Sequence, residues 1–187
     1  MSAETSTTRP GTPALAIVVA VLVGAAVSIL LGVYGKTHDP RFFSINVAGF
    51  SSPTAVKTWL ATVATALALF QLGSALAMYG KIPGLRAPGW VGPAHVWSGR
   101  LAVLVSVPVA VHCLYALGYQ DYEPRVLWHS LFGCFFYGVF VTKMLLLTRK
   151  GLPGWTLPVA GGLVLTGLVG IWLTSALWFF QNNGLTF

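Results

Sequence analysis

PAHVWSGRLAVLVSVPVAVHCLYALGYQDYEPRVLWHSLFGCFFYGVFVTKMLLL, residues Pro93–Leu147, carries three of the four histidines of the chain: His95, His112 and His129. Two apolar segments, Leu101–Leu117 and Val126–Leu147, flank a short polar loop, Gly118–Arg125. Both segments are continuous apolar runs without alternation, which in a bilayer reads as helix rather than barrel strand. The whole chain agrees. Hydrophobic residues make up 56% and charged residues 8%, against about 25% charged in a soluble domain. Mean hydropathy is +0.77. The expected fold is all-α, a single transmembrane helical bundle.

Working outward, five spans are expected at about 14–33, 58–80, 93–117, 126–148 and 157–180, a four-helix core plus one. Residues 1–13 are polar and rich in Ser, Thr and Pro, and read as a disordered cytoplasmic tail. Residues 181–187 form an extracytoplasmic tail. Ala14–Val33 reads as an uncleaved helix: Glu4 offsets Arg9, the run exceeds a usual signal-peptide core, and no clear Ala-x-Ala site follows. Asp121 or Glu123 is expected to cap the fourth helix, with Pro124 in its first turn.

Five crossings put the termini on opposite sides. The side of the N-terminus, side B, collects seven Lys and Arg: Arg9, Lys81, Arg86, Arg100, Lys143, Arg149 and Lys150. Side A collects four: Lys36, Arg41, Lys57 and Arg125. The excess makes side B cytoplasmic. Trp59, Trp128 and Trp178 mark the side A belt, Trp90, Trp97 and Trp155 the side B belt, and Trp172 stays in the interior. The net charge of +7 is spread over these ends and loops, so it implies a lipid bilayer and no nucleic acid. Cys113 and Cys134 lie within apolar segments and give no disulfide framework. Small residues at Ala64, Ala68, Gly73, Ala77, Gly161, Gly162, Gly167 and Gly170 imply close helix packing.

The histidines are the candidate site, because ionisable residues within a membrane are read as functional. His112 precedes the loop and His129 follows it. At 1.5 Å per residue both lie roughly 7–9 Å in from side A. A short turn makes the two helices antiparallel neighbours, so the imidazoles stand at matching depth, as two axial ligands of one haem must. Gly133, at i+4 from His129, leaves room for a flat macrocycle. Phe132 and Phe136 supply apolar walls, and Tyr115 lies toward the mouth. Arg125 is the best placed cation to meet haem propionates, ahead of Lys57 and Arg41. Two other readings stay open: histidines that bond each other, a carbonyl or water, and another metal held by histidine alone. No zinc-like ligand spacing accompanies them. His95 is 17 residues from His112, about 26 Å along a helix. It is expected at the side B interface, against a carbonyl, a lipid headgroup or a quinone. A second haem there, paired with Met144 or Met78, is disfavoured.

HVWSGRLAVL, VHCLYAL and WHSLFGCFFYGVFVTKM resemble the cores of cytochrome b561-like and ferric-reductase-like membrane proteins. The resemblance implies haem-ligating histidines near the ends of consecutive spans, which here are His112 and His129 and, more weakly, His95. Those families usually carry four histidines for two haems; this chain has three in the membrane. The whole chain is also similar to a family of small, functionally unassigned multi-pass bacterial membrane proteins. The function expected is that of a membrane protein with one haem b, moving single electrons between quinol and an extracytoplasmic partner in a bacterial cytoplasmic membrane. Any dehydrogenase or other redox subunit would be a separate chain, since no nucleotide-binding glycine pattern occurs. The alternative is a non-catalytic accessory or assembly subunit of a larger membrane complex, with structural histidines. A transporter is disfavoured by the lack of an internal repeat and of any acid within a span.

Overall fold

The computed structural model describes residues 12–187. Most of the tail expected at residues 1–13, including Glu4 and Arg9, lies outside the described residues. Five helices follow: α1 (Pro13–Thr37), α2 (Pro53–Met78), α3 (Val91–Leu117), α4 (Pro124–Leu147) and α5 (Thr156–Asn183). Each is long and apolar enough to cross a membrane, and no strand occurs among the described residues. The molecule is an all-α, membrane-spanning bundle.

Two helix starts follow from local capping. Thr12 Oγ1 accepts from the backbone of Leu15 at 3.4 Å ahead of Pro13. Ser52 Oγ accepts from Ala55 at 3.1 Å ahead of Pro53. Hydroxyl caps followed by proline are strong helix starts. The second places the start of α2 five residues before the expected 58, and so puts Lys57 inside the helix. α1 continues past the expected 33 to Thr37. Its polar last turn keeps helical hydrogen bonds, and Pro40 forbids more. Pro124 opens α4 as expected, and Glu123 holds the cap position. Its carboxylate makes no capping bond, however, and pairs with Arg125 instead.

Around the bundle the helices pack in the order α1, α4, α5, α2, α3. The tightest crossing joins α1 and α4. A Cβ added to Gly24 would meet the Gly138 carbonyl oxygen at 2.4 Å, and one on Gly138 would meet the Gly24 oxygen at 2.4 Å. On α5, Gly167 makes room for Phe135 and Phe136, and Gly170 for Phe132. The small residues of these helices therefore serve packing within the chain, whereas Gly73, Gly161 and Gly162 have nothing against them. Phe132 faces α5, not the expected haem wall. Trp172 is accounted for by a bond from its Nε1 to Thr62 Oγ1 at 3.0 Å.

α3 and α4 do not pack closely, although a short loop joins them. They face each other across a gap, bridged by Ser106 Oγ and Tyr137 Oη at 3.0 Å. The expectation of close antiparallel neighbours fails because α3 packs on α2 instead, while α4 is held by α1 and α5. Two of the helices that line the gap, α3 and α5, widen into π-helical turns at side A, His112–Leu117 and Leu173–Leu177. Such turns are frequent at functional sites. The α1–α2 loop folds over the end of α3, with Phe42 N donating to Ala116 O at 3.0 Å.

Candidate functional site: a cavity between α3 and α4

The gap is a cavity of about 360 Å³ in the side A half of the bundle. That size falls within the range of small-molecule sites, about 300–1,000 Å³. Ala61, Ala64, Phe136, Leu168 and Ile171 supply apolar wall. Among the described residues no carboxylate lines it, and the two charged residues that do are Lys57 and Arg125.

His129, Gly133, Arg125 and Phe136 all line this cavity. Gly133 has open space before it: an added Cβ would meet no atom within 4 Å. Phe136 is 3% exposed and packs with Ala64 and Leu168, which also line the cavity. Arg125 sits at the side A end of α4, donating to the Thr174 carbonyl at 2.8 Å and pairing with Glu123. Its guanidinium lies 4.2 Å from the centre of the Trp178 ring.

The hydrogen bonds of Thr174 favour one tautomer of His129. Thr174 Oγ1 gives its proton to the Gly170 carbonyl at 2.7 Å. It can then only accept from His129 Nδ1, at 3.3 Å. This places the proton on Nδ1 and leaves Nε2 without a hydrogen-bond partner among the described residues, on a side chain of the cavity wall. Thr174 has no signal in the sequence, since only the tertiary fold brings α5 against His129.

His112 is placed differently. Cys113, its neighbour, lines the cavity; His112 and Tyr115 do not. The Phe43 carbonyl, which can only accept, takes a hydrogen bond from His112 Nε2 at 3.0 Å. Lys57 Nζ, which can only donate, reaches His112 Nδ1 at 3.5 Å. The Phe43 ring packs edge-on against the imidazole, centroids 5.6 Å apart. Tyr115 turns toward α1, stacking on His38 at 4.9 Å. Arg41 stays on the loop, off the cavity wall. Tyr119, on the loop at the cavity mouth, has its phenol pushed up by burial, with Cys134 and Asp121 acting the same way and Lys36 opposing.

His95 belongs to a separate network near side B. Ser74 Oγ donates to Phe70 O at 2.7 Å and accepts from His95 Nδ1 at 2.7 Å. Gln71 Nε2 ties the His95 carbonyl to Ser98 Oγ. Among the described residues no three His, Cys, Asp or Glu side chains converge as a metal group.

One family model matches residues 17–187, described as a family of unknown function (DUF6529). The chain belongs to that family. The match covers nearly all of the bundle and every residue of the cavity wall. No curated protein and no solved structure matches the chain.

Proposed function

We propose that the cavity holds one b-type haem, and that the protein transfers single electrons between a membrane quinol and a redox partner at side A. The observation that carries this reading is His129, a histidine on the wall of an apolar cavity whose Nδ1 meets Thr174 while Nε2 has no partner among the described residues. Metal-ligating histidines are oriented in this way, through the ring nitrogen that does not bind the metal.

The cavity residues fit the group. Gly133 leaves flat space beside His129, and Phe136, Leu168 and Ile171 offer apolar contact. Arg125 and Lys57 offer positive charge for propionates. His112 fits less directly, since both its ring nitrogens are engaged. When bound, haem supplies a one-electron couple at its iron. The chain's own part is to orient the His129 imidazole, exclude water with apolar walls and set positive charge beside the ring. That charge favours the reduced state. The Lys and Arg excess on side B supports side A as the outer face of a bacterial cytoplasmic membrane.

The test is reconstitution of the full chain in lipid with haem. One haem per chain, reduced on adding a short-chain quinol, is expected. A chain that takes up no haem, or a haem that quinol leaves oxidised, would overturn the reading.

A second reading, an accessory subunit with structural histidines, is favoured by the satisfied ring nitrogens of His112 and the Ser74 bond of His95. In that case His129→Ala would alter thermal stability equally with and without added haem.

A further inference from the structure

Lys57 is a cation on the wall of an apolar cavity, and no acid among the described residues pairs with it. The ion pairs among the described residues are Lys36–Asp121 and Arg125–Glu123. The hydrogen-bond partner of Lys57 Nζ is the lone pair of His112 Nδ1. That lone pair exists because the Phe43 carbonyl holds the His112 proton on Nε2. The imidazole is thus clamped between loop and α2, with its one free lone pair turned to Lys57. The widened turn that begins at His112 presents Cys113, not His112, to the cavity.

We propose that Lys57, positioned by His112, receives a carboxylate of the cavity's ligand, with Arg125 receiving a second. His112 is then a positioning residue, and His129 alone bonds the iron. This rests on the haem reading and specifies it: the ligand class is a planar apolar molecule with two carboxylates at one edge. The two cations line a cavity to which no described residue brings a carboxylate, so they suit acid groups brought by the ligand. Guanidinium and ammonium bonds to carboxylates are charge-assisted and strong where water is excluded. Arg125 spends donors on Thr174 O and Glu123, and its five N–H groups leave others free.

The experiment titrates the purified full chain with haem, metal-free protoporphyrin IX and protoporphyrin IX dimethyl ester, and records the ferric haem spectrum. The wild type is expected to give a five-coordinate, high-spin haem. Lys57→Gln is expected to weaken haem and protoporphyrin IX alike, by roughly tenfold or more, and to leave the dimethyl ester unchanged. His112→Ala should weaken the same two ligands without changing the spin state. His112→Gln, which can accept from Lys57 and donate to Phe43 but binds iron poorly, should restore most of that loss.

A low-spin wild type that becomes high-spin in both His112→Ala and His112→Gln would overturn the inference and leave the haem reading standing. So would a Lys57→Gln variant that binds all three ligands as the wild type does. A chain that binds neither haem nor protoporphyrin would overturn both.

Discussion

His129 and Thr174 are joined by a hydrogen bond of 3.3 Å in which Thr174 is the acceptor, its own proton being given to Gly170 O. The bond holds one imidazole tautomer at the cavity wall. Thr174→Val keeps the shape and removes the acceptor, so haem affinity should fall about 10–100-fold. Thr174→Ser should retain most of it. Haem titration of the two variants checks this; equal binding by both would show that Thr174 does not orient His129.

The Gly24–Gly138 crossing has no room for a side chain on either helix. Gly138→Leu should cost about 1–3 kcal/mol and lower the thermal midpoint in detergent. Gly161→Ala, with nothing within 4 Å of its added Cβ, should leave the midpoint in place. The comparison separates packing glycines from lipid-facing ones.

Ser74→Ala leaves His95 Nδ1 without its partner. Hydrogen bonds between helices in membranes average about 0.6 kcal/mol and reach about 1.7, so a loss of roughly 1 kcal/mol is expected. Haem content should not change, because this network lies apart from the cavity. Loss of haem in this variant would relocate the site to side B.

Sidedness is tested by cysteine labelling in a chain carrying Cys113→Ala and Cys134→Ala. Asp39→Cys should react with an impermeant maleimide in intact cells. Lys150→Cys should react only after lysis. The opposite pattern would place the cavity on the cytoplasmic face.

The five helices were legible because apolar runs bounded by Pro, Gly and charge are strong local signals, and Pro124 opens α4 where it was expected. The polar ends were not. Hydropathy stops at Val33, while helical bonding runs on to Thr37, and Ser52 starts α2 before its apolar run begins. In the candidate site, helical spacing placed His129, Gly133, Arg125 and Phe136 on one surface, and all four line the cavity. The other wall was misread because loop length sets neither which helices pack nor how a π-helical turn rotates His112 out and Cys113 in. In sequence Lys57 ranks only as a weaker cation, because Arg125 lies four residues before His129 and Lys57 on a distant segment. Thr174 was invisible for the same kind of reason: its role depends on how α5 meets α4, a distant relationship that no local pattern encodes.

The most direct test of the account is the dithionite-reduced minus oxidised visible spectrum of the purified protein, from cells supplied with haem, beside His129→Ala. The wild type is expected to show a haem difference spectrum, a shifted Soret band with one broad visible band on reduction, and the variant to lose it. A wild type without a haem signal, or bands that survive in His129→Ala, would contradict it.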